Sequence, residues 1–147
     1  MAGQYRQSSH TKYDNKYHIV WITKYRKKIL IDDIGLRLRE IIRQICASEK
    51  VDILKGAIGP DHVHMLLEIP PYIAVSRIVQ HIKGESSRKL QMEFPRLGKA
   101  FWGQHMWQIG YFCCTTGTIT EQVIRNYIAE QGKKEEDEDR TFVVFGS

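Results

Sequence analysis

Two histidines separated by a single residue open an apolar segment of this 147-residue chain. The segment reads PDHVHMLLEIP (60–70), and the histidines are His62 and His64. In a β-strand, successive side chains point to opposite faces, so these imidazoles would share one face, with Cα atoms about 6 to 7 Å apart. Two imidazoles at that spacing can bind one metal ion. Taken alone, the pair also fits partly exposed polar residues at a strand end.

A tyrosine and a glutamine near the C-terminal end form a second candidate pair. Tyr127 and Gln131 are four residues apart, so in a helix they would lie on one face. The tyrosine hydroxyl is a candidate nucleophile, and the glutamine amide supplies a neutral oxygen that can bind a metal. Of the seven tyrosines, only Tyr127 has an amide or carboxylate residue four positions later. By itself Tyr127 also fits the apolar side of an ordinary helix, so the pattern becomes specific only together with the two histidines.

Basic residues cluster in two segments, which indicates a polyanionic partner. The formal net charge is +5; residues 1–28 hold seven basic residues and one acidic residue, and residues 77–99 hold six basic and two acidic residues. Such clustering is typical of nucleic-acid-binding proteins, although a basic protein that binds no nucleic acid fits the charge equally well. The candidates for DNA binding are Lys24, Arg26, Lys27, Lys28, Lys83, Arg88 and Lys89.

The hydrophobic pattern predicts an α+β domain with elements in the order βαββαβα. Alternating and β-branched stretches predict strands, whereas apolar residues at helical spacing predict helices. The predicted strands are 17–26, 51–60, 62–70 and 107–117, with a turn at Gly59 and Pro60. Asp32 or Asp33 can cap the first helix, and Thr118 or Thr120 can cap the last. The second helix begins near Val75, and its continuation through Gly84 stays open. This order is that of a ferredoxin-like or RRM-like antiparallel sheet with an added C-terminal helix. One face of such a sheet carries helices, and the other is open to a ligand or partner.

Composition and length predict one soluble domain covering residues 1–147, with a core at about 12–132 and a charged tail at 133–147. The chain has no apolar run of 18 residues and its N-terminal residues lack a signal-peptide core, so we expect a cytoplasmic protein without a membrane segment. Its three cysteines show no C-x-x-C spacing, which favours reduced packing residues over a zinc or disulfide site.

Both candidate pairs resemble motifs of one enzyme family. HVHMLLEIP resembles the HUH motif, and NYIAEQ resembles the tyrosine-bearing helix of single-tyrosine HUH transposases, the TnpA-type enzymes of small insertion sequences. The similarity spans roughly residues 12–132 and includes SRIVQHIKGESSRKL and FWGQHMWQIGYFCCTTG. The adjacent pair Cys113 and Cys114 has no counterpart among the family's functional residues.

The resemblance implies a transposase that cuts single-stranded DNA. Tyr127 would attack phosphorus and leave a 5′-phosphotyrosine and a free 3′-hydroxyl. His62, His64 and Gln131 would hold a divalent ion, Mg²⁺ or Mn²⁺. The DNA would be single-stranded or a hairpin at transposon ends. The enzyme would be a homodimer in which the tyrosine helix of one subunit can complete the site of the other.

The remaining histidines and one aspartate carry weaker expectations. His10, His18, His81 and His105 have no partner at ligand spacing, so we expect structural or surface roles for them. Asp61 precedes the histidine strand; we expect an exposed turn residue, although it could accept a hydrogen bond from a ligand histidine.

Two other classes of function stay open at this point. One is a non-catalytic RRM-like nucleic-acid-binding protein, which is disfavoured because the strands lack the aromatic pattern of such domains. The other is a metal-dependent hydrolase in which His62 and His64 activate water and Tyr127 is structural.

Overall fold

An antiparallel sheet of four strands forms the centre of the molecule. The computed structural model describes residues 6–7, 12–101, 105–115 and 122–131. Strands β1 (Arg6–Gln7) and β2 (Lys12–Tyr13) pair with each other; the main sheet consists of β3 (Lys16–Ile22), β4 (Asp52–Ile58), β5 (His62–Glu68) and β6 (Phe112–Cys114). Its strand order is β4-β5-β3-β6, and every neighbouring pair is antiparallel.

Three helices, α1 (Asp32–Ser48), α2 (Val75–Glu93) and α3 (Pro95–Phe101), cover one face of this sheet. A fourth helix, α4 (122–131), contacts β6 through Tyr127 and Phe112. Alternate residues of β3 and β5 pack with apolar residues of α1 and α2 in one core, at about 1.5 to 3 kcal/mol for each large side chain buried. Among the described helices, none is both long and apolar enough to cross a membrane. The core side chains from the two strands are Ile19, Trp21, Val63, Met65 and Leu67.

The predicted ferredoxin-like order with a C-terminal helix is confirmed. The turn at Gly59 and Pro60 also forms as predicted, and the backbone N–H of Gly59 donates to the carbonyl oxygen of His62 at 2.8 Å. Helix α2 continues through Gly84, where the sequence left its continuation open. The predicted helix caps Thr118 and Thr120 lie outside the described residues.

Three predicted boundaries are wrong for local reasons. The first predicted strand ends at Ile22, because the chain turns through a short 3-10 helix at Lys24–Arg26. The Thr23 hydroxyl donates a hydrogen bond to the carbonyl of Lys27 at 2.8 Å and so spans this turn. Within residues 107–115 the predicted strand is reduced to Phe112–Cys114, because Trp107 forms only an isolated bridge to Thr23 and Gly110 bends the chain with a φ of 95°. Residues 116–117 lie outside the described part of the chain. Helix α1 starts at Asp32 with Ile31 at the N-cap and no side-chain cap, so neither aspartate caps it. The short helix α3 was not predicted.

Candidate active site

Strand β5 places His62 and His64 on the sheet face opposite the core. The pairing with β3 sets His62 beside Ile22 and His64 beside Val20. Val63 points the other way and is fully buried. Both histidines are partly exposed. The alternation read from the sequence therefore holds, and the two imidazoles share one face.

A buried carboxylate holds one ring of the pair. Asp61 is only 7% exposed, and its Oδ1 lies 2.9 Å from Nδ1 of His62, while the guanidinium Nε of Arg26 lies 3.5 Å from Oδ2. The expectation of an exposed turn residue is wrong, because the turn before β5 is covered by the segment after β3: the N–H of Thr23 donates to the carbonyl of Asp61 at 3.0 Å. An ionised carboxylate only accepts hydrogen bonds, so Nδ1 of His62 donates and Nε2 keeps a free lone pair for a metal.

A third histidine contacts the pair. His18 on β3 is 6% exposed, and its Nδ1 lies 3.3 Å from Nε2 of His64, with the two rings stacked at 5.5 Å between centroids. In the sequence His18 has no partner at ligand spacing, and the fold supplies one across two strands. It faces the same way as His64 because Val20, two residues later, is the direct partner of His64. The alternation along β3 could have indicated this face, but the contact depends on a strand register that the sequence does not display.

The environment of His64 favours its neutral form. Burial lowers the pKa of His64, and the neighbouring positive or ionisable groups His18, Lys55 and His62 lower it further. A neutral imidazole is the form that binds a metal ion. At neutral pH this side chain therefore has the charge state that a metal ligand needs, while its Nε2 contacts Nδ1 of His18.

Helix α4 brings Tyr127 to the histidine face. Its ring lies 5.8 Å from that of Phe112 on β6, measured between centroids. Phe112 pairs with Val20, which in turn pairs with His64, so the three residues lie side by side across the sheet. Two strand spacings, about 10 Å, separate Phe112 from His64. Burial raises the pKa of Tyr127 to about 12, so its hydroxyl is protonated in the resting site.

Gln131 lies one helical turn after Tyr127. Its Oε1 is buried and has no hydrogen-bond partner among the described residues, a state that costs about 1 to 3 kcal/mol. Within the same part of the chain, no three His, Cys, Asp or Glu side chains form a cluster that could hold a metal ion. The amide oxygen of Gln131 is of a type that can bind a metal, and it lies on the same helix as Tyr127.

Some basic side chains after β3 contact other groups of the protein, whereas others are exposed to solvent. Lys27 donates from Nζ to the carbonyl of Ala100 at 3.0 Å and lies over the ring of Phe101, so it ties this segment to α3. Lys24 lies over the ring of Tyr25. Lys28 is exposed. Together with Arg26 beside Asp61, these residues lie at the end of the sheet that carries His62.

The basic residues of α2 are also partly engaged. Lys83 donates from Nζ to the carbonyls of Gln108 at 2.8 Å and Gly110 at 2.9 Å, and burial lowers its pKa to about 8. Arg88 and Lys89 form exposed ion pairs with Glu85, which contribute little to stability. Lys83 thus has a structural contact that the sequence did not indicate, and two of its three N–H donors are used.

Comparison with known proteins identifies the family. The family model described as IS200-like transposase matches residues 11–131. The chain belongs to this family. The match covers β2 to the end of α4, and so includes the histidine strand and the helix of Tyr127.

Transposases of known insertion sequences are similar to this IS200-like transposase over most of its length. The ISDra2 transposase TnpA of Deinococcus radiodurans is 33% identical over 123 residues, covering 84% of this chain and 88% of the relative. The transposase of insertion sequence element IS200 from Salmonella typhimurium is 36% identical over 129 residues, covering 88% of this chain and 84% of the relative.

Two solved structures share the fold. A crystal structure of a protein from Deinococcus radiodurans R1, assigned as a transposase, superposes with a TM-score of 0.76 at 31% identity and covers 86% of this chain and 96% of its own. A REP-associated tyrosine transposase bound to a REP hairpin gives a TM-score of 0.52 at 15% identity, covering 84% of this chain and 68% of its own. At that identity the second likeness is one of fold alone.

Proposed function

We propose that this IS200-like transposase cuts and rejoins single-stranded DNA at insertion-sequence ends through a 5′-phosphotyrosine on Tyr127. The observation that carries the proposal is the position of α4. Tyr127 packs on Phe112, on the same sheet face that presents His62 and His64. A candidate nucleophile and two candidate metal ligands therefore border one surface, which is what phosphodiester cleavage by in-line attack requires.

The cleavage step assigns a covalent role to Tyr127. Its hydroxyl loses a proton to solvent, and the phenolate oxygen forms a bond to phosphorus while the bond from phosphorus to the 3′-oxygen breaks. The 3′-oxygen takes up a proton and becomes a free hydroxyl. Because the new phosphotyrosine is itself a phosphodiester, attack by another 3′-hydroxyl reverses the step and joins new ends without ATP.

We further propose that His62, His64 and Gln131 hold a divalent cation, Mg²⁺ or Mn²⁺. When bound, such a cation would polarise a non-bridging phosphate oxygen and favour the phenolate of a neighbouring tyrosine. All three ligands are neutral, so they leave the charge of the cation undiminished. The imidazoles suit Mn²⁺ better than Mg²⁺, which prefers oxygen. Asp61 orients the ring of His62, and the unsatisfied oxygen of Gln131 gains a partner.

The proposed substrate is single-stranded or hairpin DNA. The basic segment at Lys24–Lys28 lies at the sheet end that carries His62, where it can neutralise phosphates next to the cleaved bond. A transposase of the same fold has been solved bound to a REP hairpin, so this fold can present a surface to hairpin DNA. Unpaired DNA suits the site because Tyr127 has to reach an accessible phosphate.

We also propose a homodimer. Mixing a Tyr127→Phe protein with a His64→Ala protein tests how its sites are built. Regained cleavage, with subunit exchange demonstrated, would assign each site to residues from two chains. If no cleavage returns under those conditions, each site is built within one chain, as the contact between Phe112 and Tyr127 would allow.

The deciding experiment incubates the protein and Mn²⁺ with end-labelled DNA that carries a hairpin and a single-stranded flank. Denaturing gels then separate three outcomes. A protein–DNA adduct that resists denaturation supports the proposal. Free cleaved product without an adduct would instead support a metal-dependent hydrolase, and a native-gel shift without cleavage would support a non-catalytic binding protein.

A further inference from the structure

The imidazole ring of His62 lies against the backbone of Gly59, three residues earlier in the chain. A Cβ built at Gly59 would lie 2.3 Å from Cε1 of this ring, 2.8 Å from Nδ1 and 2.9 Å from Nε2. Carbon atoms that are not bonded to each other pack at about 3.5 to 4.0 Å. Any side chain at position 59 would therefore compete with the imidazole for the same space.

The turn between β4 and β5 does not itself require a glycine at this position. Among the described glycines, only Gly110 has a positive φ, the conformation in which other residues are strained. The N–H of Gly59 donates to the carbonyl of His62 at 2.8 Å, and an alanine has the same N–H group. The absence of a side chain at Gly59 is therefore explained by the ring of His62 and not by the backbone.

Other described glycines have different surroundings. A Cβ at Gly56, on β4, would lie 3.0 Å from Sδ of Met65, the end of a flexible side chain. A Cβ at Gly84, in α2, would meet no atom within 4 Å. Within the described part of the chain, Gly59 is thus the glycine whose added Cβ would meet a candidate metal ligand.

Asp61 holds the same ring through its carboxylate. Its Oδ1 lies 2.9 Å from Nδ1 of His62, and the guanidinium of Arg26 contacts its other oxygen at 3.5 Å. Asp61 is 7% exposed, so this carboxylate has little room to follow a ring that moves. The Cβ built at Gly59 would lie within 3 Å of the same Nδ1 atom. A ring displaced by that Cβ would therefore change its hydrogen bond to Asp61 and the direction of its Nε2.

We propose that Gly59 is a positioning residue for the candidate metal site, because its bare α-carbon sets the orientation of the His62 ring. The inference rests on the proposed function, since it takes His62 as a metal ligand. Gly59 acts through the ring of His62 alone, and Asp61 fixes the same ring through Nδ1. Such fixing matters because a displacement of about 1 Å can cost on the order of 100-fold where a reaction depends on alignment.

The test compares Gly59→Ala with the parent protein and with the control Gly84→Ala, whose added methyl group meets open space. The affinity for Mn²⁺ is measured by electron paramagnetic resonance titration without DNA. We expect Gly59→Ala to lose about 10- to 100-fold, as when a ligand histidine loses its hydrogen-bond partner, and Gly84→Ala to bind like the parent. The urea midpoint of Gly59→Ala should stay close to that of the parent, because the partly exposed imidazole can swing aside.

A second measurement reports on the ring without any metal. Side-chain ¹⁵N NMR of the metal-free protein follows the Nδ1 signal of His62, which is assigned by its loss in His62→Ala. We expect this signal to shift in Gly59→Ala and to stay unchanged in Gly84→Ala. A variant with both Gly59→Ala and Asp61→Ala should bind Mn²⁺ no more weakly than Asp61→Ala alone, because both changes act on one ring.

Parental Mn²⁺ affinity in Gly59→Ala would overturn the inference, and so would an unchanged Nδ1 signal or losses that simply add in the double variant. If Gly59→Ala does not fold, the same change is made in His62→Ala. A folded double variant would then locate the clash in the ring and support the inference, whereas an unfolded one would show that the backbone requires glycine and overturn it. A parent protein that binds no Mn²⁺ would contradict the proposed metal site, and the NMR comparison would still decide whether Gly59 orients His62.

Discussion

The carboxylate of Asp61 lies 2.9 Å from Nδ1 of His62 and is buried beneath the segment that follows β3. This contact fixes which ring nitrogen of His62 carries the proton, and it directs the other nitrogen away from the carboxylate. Arg26 faces the second carboxylate oxygen, so the charge of Asp61 is balanced where water has little access. The ring of His62 is thus held in place by other side chains of this chain.

Removing this carboxylate should weaken metal binding more than it weakens folding. We expect Asp61→Ala to lower the affinity for Mn²⁺ by about 10- to 100-fold, the usual effect of losing the partner of a ligand histidine. Electron paramagnetic resonance titration of free Mn²⁺ measures this without any turnover. Asp14→Ala removes a partly exposed carboxylate paired with Lys16 and serves as the control. Unchanged Mn²⁺ affinity in Asp61→Ala would place the metal elsewhere.

The two adjacent lysines after β3 should have separable effects. Lys28→Ala removes an exposed charge. If one contact with a single-strand phosphate is lost, the slope of log affinity against log salt concentration should become shallower by roughly 0.7. Lys27→Ala removes the bond to Ala100 and the contact with Phe101, and should lower the free energy of unfolding by about 1 kcal/mol. Salt titrations of DNA binding and urea unfolding measure the two effects. Equal salt slopes for Lys28→Ala and the parent would place Lys28 outside the DNA path.

Cleavage should accelerate as the pH rises. Burial raises the pKa of Tyr127 to about 12, so the hydroxyl is protonated at neutral pH and the phenolate fraction grows about tenfold per pH unit below the pKa. The lowered pKa of His64 keeps that ligand neutral over the same range. At saturating DNA and Mn²⁺, the logarithm of the single-turnover rate should therefore rise by about one for each pH unit between about pH 6.5 and 8.5. A rate independent of pH there would contradict a protonated resting tyrosine.

The elements that position the candidate site could be predicted because their signals are local. The alternation of β5 and the i, i+4 spacing of Tyr127 and Gln131 follow from backbone geometry. Contacts between distant segments could not be predicted in this way. His18 meets His64 through the register of two strands that are far apart in the chain, and Asp61 is buried by the turn after β3.

The lysines show the same limit for electrostatics. A sequence displays a basic cluster but does not reveal which ammonium groups fold against carbonyl oxygens. Lys27 and Lys83 each do so, because α3 and residues 108–110 lie over them. On charge alone, both lysines were candidates for DNA binding in the same way as the exposed Lys28. Charge counts therefore predicted the class of partner, which the family supports, without separating contact residues from structural ones.

The role of Gln131 can be separated from that of the histidines. His62→Ala or His64→Ala should abolish cleavage while hairpin binding is retained, since basic side chains elsewhere supply affinity. Gln131→Ala should slow cleavage less, because water can replace one neutral ligand, and raising the Mn²⁺ concentration should recover part of the rate. Metal titrations of the single-turnover rate measure this. Normal cleavage by either histidine variant in Mg²⁺ would rule out the assigned metal site.

The most direct measurement of the central claim is covalent adduct formation by Tyr127→Phe. The substitution keeps the ring that packs on Phe112 and removes the hydroxyl alone, so folding and hairpin binding should match the parent. Tyr72→Phe alters an exposed tyrosine and is the matched control. Each protein is incubated with Mn²⁺ and labelled single-stranded DNA and run on a denaturing gel. We expect adduct and cleavage with the parent and Tyr72→Phe and neither with Tyr127→Phe; an adduct formed by Tyr127→Phe at the parental level would contradict the role of Tyr127 as nucleophile.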